Sequence, residues 1–230
     1  MLNTTVDLTG FGKIPSYFEQ IKILELYFKE DFFLNKTQRK IISKNYSKKR
    51  MLLMPFFIEL LQPKSTFPVR QAVSALWKKY KSTMELDNNI RSLYRNSYRR
   101  TTKLVEKFSQ LWSSQGEPNS LLIVPFEFFY EEEKPKIIHK KLFNKNMNEF
   151  IFGAYETIIA KIIFGNFNFS EKMFPLLCGG DELSNEKSVN VFSSMPCLEY
   201  DDLGIQLNTI LKNVPYSPAG YFKGCMIENL

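Results

Sequence analysis

Histidine is almost missing from this 230-residue chain, which contains only His139. Zinc and most transition-metal sites use several His or Cys ligands, so one histidine excludes multi-histidine metal sites and makes triad catalysis depend on a single residue. His139 lies in the segment IIHKKLF, a setting more typical of a surface or half-buried residue than of a base. The phosphate-loop pattern GxxxxGK[ST] is also missing, because Gly10, Gly12 and Lys13 stand too close together. The sequence therefore predicts no metal and no other cofactor.

Cysteines and long apolar runs are scarce as well. The three cysteines, Cys178, Cys197 and Cys225, are widely spaced and form no CxxC pair, which argues against a disulfide framework and fits a reducing compartment. No uninterrupted apolar stretch approaches the roughly 20 residues that a membrane-spanning helix needs. Residues 1–16 lack the basic and apolar regions of a secretory signal. We therefore expect an intracellular protein, in the nucleus or the cytoplasm, with no membrane partner.

Positive charge is concentrated in the first half of the chain. Residues 1–115 contribute +12 to the net charge of +7, from 21 Lys and Arg against 9 Asp and Glu. Residues 116–230 contribute −5, from 10 Lys against 15 Asp and Glu. Every arginine lies at or before position 100. This asymmetry indicates either that the first half faces a polyanion or that the two halves attract each other inside one fold.

The hydrophobic pattern of the first half predicts helices. Ser16 and Glu19 have the spacing of a capping box, which predicts a helix from Tyr17 to about Leu34. Residues 36–50 are expected to be a weak helix or a solvated connector. Apolar residues over 69–80 follow the i, i+3, i+4, i+7 spacing of an amphipathic helix, and the same spacing predicts one long helix over 85–112.

The second half mixes both kinds of element. Residues 120–130 predict a strand that Pro125 either places at a sheet edge or divides in two. Further expected elements are a helix over 147–164, a strand over 188–193 and a helix near 203–211. We therefore predict an α+β protein that is predominantly α. Its helical, basic region would occupy residues 1–115, and an acidic, Phe-rich region with a few short strands would occupy 116–230, as two regions or as one continuous domain.

The clearest functional pattern is a row of five basic residues at four-residue steps, namely Arg91, Arg95, Arg99, Lys103 and Lys107. On one helix each step overshoots a full turn by about 40°, so the row would form a winding ridge about 24 Å long. Such a ridge could follow several phosphates of a nucleic-acid backbone. Arg100 adds charge, and Tyr94 and Tyr98 offer rings for sugars or unpaired bases. The alternative is a solvated helix face that Asp87 and Glu106 neutralise in part.

A second basic cluster lies at residues 36–50, which hold seven basic residues, Lys44 among them, and no acidic one. The residues predicted to bind nucleic acid therefore come from both groups. They are Arg91, Arg95, Arg99, Lys103 and Lys107 from the row together with its neighbour Arg100, and Lys36, Arg39, Lys40, Lys48, Lys49 and Arg50 from the cluster.

These patterns support three functional hypotheses. The first is a non-enzymatic nucleic-acid-binding protein acting as a regulatory or maintenance factor, with DNA slightly preferred because no RNA-module signature is present. The second is an interaction or scaffold subunit, whose basic face meets an acidic protein or whose Phe-rich second half contacts a partner or another copy. The third is a Mg²⁺-dependent nuclease that uses acidic residues of the second half, among them Glu127, Asp181, Glu182, Asp201 and Asp202.

Overall fold

The computed structural model of the chain describes nine ranges of residues: 15–45, 50–80, 98–117, 120–131, 148–164, 175–184, 194–201, 204–211 and 219–226. Within them, α-helices pack against a single large β-sheet. No helix in these ranges is long and apolar enough to cross a membrane.

The helices of the described ranges are α1 (Tyr17–Phe28), α2 (Lys36–Asn45), α3 (Phe67–Tyr80), α4 (Thr102–Gln115) and α5 (Ala154–Phe164), with a 3₁₀ turn at Ile58–Leu61. The predicted capping box is confirmed, because Ser16 Oγ accepts the Glu19 N–H at 3.3 Å and Glu19 Oε2 accepts the Ser16 N–H at 2.7 Å. α1 ends earlier than predicted, at a left-handed Lys29 with φ of 62°. The amphipathic helix predicted over 69–80 is confirmed as α3.

The strands form one nine-stranded mixed sheet. They are β1 (Arg50–Pro55), β2 (Tyr98–Arg100), β3 (Leu121–Glu131), β4 (Glu149–Ile151), β5 (Leu176–Leu177), β6 (Asp181–Leu183), β7 (Ser194–Asp201), β8 (Gly204–Leu211) and β9 (Ala219–Cys225). Neighbouring strands are hydrogen-bonded in the order β1-β3-β9-β5-β7-β6-β2. In addition, β4 pairs with β9 and β8 pairs with β7. Among the strands of the described ranges, β5 and β9 are the one parallel pair, and the other pairs are antiparallel.

The prediction of a predominantly α fold is therefore wrong. The first half, predicted to be helical, also contains strands β1 and β2, which pair with β3 and β6 of the second half. β1 could not be recognised as a strand from the sequence, because its residues 51–54 are all buried. They form a continuous apolar run without the alternation of a half-exposed strand. The same sheet thus takes strands from both sides of residue 115.

Two further elements of the second half differ from the prediction. The helix expected near 203–211 is strand β8, which forms a hairpin with β7 that closes at Asp201 and Gly204. The helix expected over 147–164 begins only at Ala154, because residues 149–151 pair with β9 as β4. β4 pairs with the distant strand β9, and β8 pairs with its neighbour β7. In both places strand pairing overrides local helical spacing. The strand predicted over 188–193 lies outside the described residues.

Strand β3 runs unbroken through Pro125 and lies between two neighbours. Its residues 121–126 pair with β1, and its residues 126–131 pair with β9. At Pro125 only β1 lies alongside, opposite Met51. Because proline has no N–H to donate, this change of partners accommodates it without dividing the strand. The expectation that Pro125 divides the strand is therefore wrong. In the described sheet β3 lies between β1 and β9, but Pro125 itself is paired on one side, as a residue at a sheet edge is.

Helix α5 occupies the centre of the fold. Every residue from Ala154 to Ile163 is buried, and the helix packs against α1, α3, β1 and β7. A helix covered on all sides has an almost uniformly apolar sequence, as this one does. Its exceptions include Glu156, near the N-terminal end, which places a carboxylate inside the core.

Candidate nucleic-acid interface

Helix α2 presents four cations to solvent, on Lys36, Arg39, Lys40 and Lys44. Gln38 and Ile41 form its buried side. The helix contains no Asp or Glu, and within the described ranges none of the four cations has a carboxylate at ion-pair distance. Arg39 Nε donates to the Leu34 carbonyl at 2.9 Å. The exposed cations span about 12 Å along the helix axis, and we call them the α2 cationic face.

The start of α2 is fixed by a capping box made of amide side chains. Asn35 Oδ1 accepts the Gln38 N–H at 2.9 Å, and Gln38 Oε1 accepts the Asn35 N–H at 2.8 Å. These bonds satisfy backbone donors that a helix start leaves without intrahelical partners. The Asn-x-x-Gln spacing is readable in the sequence, and it would have distinguished a helix from a solvated connector here.

The same amides tie α2 to the rest of the fold. Asn35 Nδ2 donates to the Gln115 carbonyl at 2.8 Å, while Gln38 Nε2 donates to the Gln115 carbonyl at 3.2 Å and also to the Leu121 carbonyl. Gln115 in turn exchanges two hydrogen bonds with the Ile123 backbone, at 2.9 and 3.0 Å. This buried amide cluster (Asn35, Gln38, Gln115) holds the start of α2 against the end of α4 and against β3.

The basic row does not form a continuous helical ridge. Thr101 Oγ1 accepts the Leu104 N–H at 3.4 Å and caps α4, which begins at Thr102. Residues 98–100 are strand β2, so the prediction of one helix across 85–112 is wrong. Arg91 and Arg95 lie outside the described residues. The row therefore does not follow one helix along its length.

Lys103 and Lys107 lie one turn apart on α4, and both are half-buried. Lys107 Nζ donates to Gln110 Oε1 at 3.0 Å. Partial burial, and then the charge of Lys107, lowers the pKa of Lys103. These two lysines are less open to solvent than the four cations of α2.

Arg99 and Arg100 point to opposite faces of β2, because neighbouring residues alternate along a strand. Arg99 Nη2 lies 2.7 Å from Glu182 Oε2, at a partly exposed position. Arg100 Nη2 lies 2.7 Å from Glu156 Oε1, and both of those side chains are completely buried. Burial of Arg100 is incompatible with the phosphate contact predicted for it. Tyr98 is buried as well, so its ring is not open to a base.

Arg100, Glu156 and Asp181 form a buried ionic network at the start of α5. Glu156 Oε2 accepts the Gly153 N–H at 2.8 Å, and Asp181 Oδ2 accepts the Ala154 N–H at 2.6 Å. Carboxylates are favourable at a helix N-terminus, where backbone N–H groups point outward. Burial raises the pKa of Asp181 to about 7. The positive charge of Arg100 opposes this rise, and the negative charge of Glu156 adds to it.

The buried ionic network also requires glycine at position 153. A Cβ atom added there would lie 2.5 Å from Asp181 Oδ1. It would displace the Asp181 carboxylate that caps α5. The close approach of this carboxylate to the backbone therefore depends on the absence of a side chain at Gly153.

The remaining predicted site residues are separated from one another. Lys48 and Lys49 lie outside the described residues, and Arg50 is half-buried at the start of β1. Glu127 pairs with Lys223 at 3.2 Å. Among the described residues, no group of three or more His, Cys, Asp or Glu side chains is arranged to hold a metal ion. The side chain of Asp201 and the whole of Asp202 fall outside the described part.

The phenylalanines proposed for a partner surface are described only in part. Phe150 and Phe152 are buried, and Phe164 is half-buried. The two buried rings pack against each other, and Phe152 stacks on Phe222, with ring centroids 6.0 and 5.9 Å apart. The side chains outside the description are those of Phe129, Phe143, Phe167, Phe169, Phe174 and Phe192.

Comparisons with protein-family models, with curated proteins and with solved structures find no match to this chain. Its function is therefore argued from the arrangement of its own residues.

Proposed function

We propose that this chain is a non-enzymatic nucleic-acid-binding protein whose principal contact is the α2 cationic face. The observation that carries the proposal is the exposure of Lys36, Arg39, Lys40 and Lys44 on one short helix without a carboxylate partner in the described ranges. Cations at such positions are available to phosphates, which supply most sequence-independent affinity for nucleic acid.

Of the two basic groups predicted to bind nucleic acid, the cluster at residues 36–50 supplies the principal contact. Arg99 of the row pairs with Glu182 at a partly exposed position, and its neighbour Arg100 pairs with Glu156 inside the protein. Part of the positive charge of the first half is thus used to join the two halves. The α2 cationic face has no such use within the described residues, and this favours an external polyanion.

Affinity measurements on matched charge variants test the proposal. The variant Lys40→Gln/Lys44→Gln should weaken binding to labelled DNA at low salt by about ten-fold, since each exposed ion pair contributes up to about 1 kcal/mol. The control Lys22→Gln/Lys64→Gln removes the same charge from two other exposed lysines and should leave affinity within about two-fold. Equal losses in both variants would reject the α2 assignment, and no binding by the wild-type chain would reject nucleic-acid binding.

An acidic protein partner at the same face is the second candidate. It is supported by the same exposed cations, but a phosphate backbone presents more regularly spaced charge than a protein surface. Competition separates the two. If DNA is the ligand, unlabelled DNA should displace the labelled probe far more effectively than polyglutamate does when the two competitors are compared at equal concentrations of negative charge. Equal displacement by both competitors would favour the acidic protein.

A further inference from the structure

Phe33 is an exposed aromatic ring on a fixed backbone. Its side chain is 43% exposed, although its neighbour Phe32 packs edge-on against Phe28 with ring centroids 6.2 Å apart. The Phe33 carbonyl accepts the Leu121 N–H at 3.4 Å, and Phe33 forms a parallel bridge with Ser120 at the start of β3. The backbone that carries the ring is therefore held on the sheet.

Phe33 lies immediately before the α2 cationic face. Lys36 is three positions further along the chain, which limits the distance between the two Cα atoms to about 11 Å. The buried amide cluster fixes the intervening turn, because Asn35 bonds both to Gln38 and to the Gln115 carbonyl. An open ring and a row of cations are thus presented close together by one rigid segment.

We infer that the α2 cationic face, together with Phe33, binds unpaired rather than duplex nucleic acid. This inference rests on the proposed function. A cationic groove or face that holds the backbone, combined with an aromatic ring on which a base stacks, is the usual arrangement for single-strand binding. Bases in a duplex are already stacked on one another and offer no free face to such a ring. Tyr98, the ring that the sequence placed beside the basic row, is buried and plays no part.

Binding of an unpaired oligonucleotide and of its duplex, each in DNA and RNA form, tests the inference. The variant Phe33→Ala should weaken binding of the unpaired probe by about 5- to 150-fold, the range that follows from loss of one base–aromatic stack, and should leave duplex binding within about two-fold. Phe33→Trp should restore the unpaired affinity. Phe18→Ala is the matched control, because Phe18 is 66% exposed and also lies beside a cation, with Lys22 Nζ 4.4 Å from its ring centroid.

The outcomes distinguish this inference from the proposed function. In one outcome, Phe33→Ala leaves the affinities for the unpaired and the duplex probe unchanged while Lys40→Gln/Lys44→Gln weakens both. That result would overturn the stacking role of Phe33 and would support the α2 cationic face as the binding site. Equal loss in Phe18→Ala and Phe33→Ala would also overturn it. If the wild-type chain binds neither probe, the proposed function itself fails. A comparison of thermal midpoints confirms that the Phe33 variants are folded, since the exposed ring contributes little to the core.

Discussion

Two neighbouring arginines on β2 have very different energetic roles. Arg100 and Glu156 are completely buried 2.7 Å apart, whereas Arg99 and Glu182 form a partly exposed pair at the same distance. Arg100→Met should lower the free energy of unfolding by about 3–5 kcal/mol, because it leaves a buried carboxylate without its counter-charge. Arg99→Met should cost less than about 1 kcal/mol, as surface pairs do. Urea unfolding of both variants makes the comparison.

The double variant Arg100→Met/Glu156→Leu completes this test. Removing both charges together should restore part of the stability lost in Arg100→Met, since a buried pair replaced by apolar groups of similar volume is often neutral. A double variant less stable than the single one, or equal costs for Arg99→Met and Arg100→Met, would contradict the assignment.

Asp181 should give the protein a pH-dependent stability. Burial, the largest cause, raises its pKa from the ordinary 3.8 to about 7, so the folded state holds a proton that the unfolded chain has released. Between about pH 4 and pH 7 the folded state therefore binds more protons, and the free energy of unfolding falls as pH rises. The asparagine of Asp181→Asn cannot titrate. This variant should therefore lack the contribution of position 181 to the decrease in the free energy of unfolding. Urea midpoints from pH 4 to pH 8 measure it, and identical profiles for both proteins would contradict the raised pKa.

At the scale of elements, α2 depends on its buried amide cluster more than on its own composition. Gln38→Met leaves the Leu121 carbonyl and the Asn35 N–H without their amide partner. We expect it to lower the free energy of unfolding by about 1–3 kcal/mol and to speed amide hydrogen exchange throughout α2. Ser43→Ala is the matched control on the exposed side and should change stability by less than about 0.5 kcal/mol. Similar effects of the two changes would show that the cluster does not hold the helix.

Helices whose signals are local could be predicted from sequence, and most strands could not. The capping box at Ser16 and the amphipathic spacing of α3 depend on residues within a few turns of each other, and both predictions are confirmed. β1 depends on pairing with β3, which lies far along the chain, so no local pattern fixes its partner. β8 pairs with its neighbour β7 in a hairpin, although its local spacing indicated a helix. Arg100 shows the same limit for the site. The sequence indicated that it adds to the exposed charge of the row, but it is buried against Glu156, 56 residues later.

For the whole molecule, the charge asymmetry has two components. Arg99 and Arg100 meet carboxylates of the second half, so part of the asymmetry holds the fold together. The α2 cationic face is a cluster of exposed cations that meets no carboxylate within the described ranges. Composition alone could not separate these components, because both consist of Arg and Lys in the first half.

The salt dependence of binding tests the central claim most directly. The logarithm of the binding constant for an unpaired DNA probe is measured against the logarithm of NaCl concentration for the wild-type chain and for Lys40→Gln/Lys44→Gln. Each phosphate contact to a single strand contributes about −0.7 to the slope, so the variant should have a slope flatter by about 1.4. The Lys22→Gln/Lys64→Gln control should keep the wild-type slope. A variant slope equal to that of the wild type would contradict the claim that the α2 cationic face contacts phosphate.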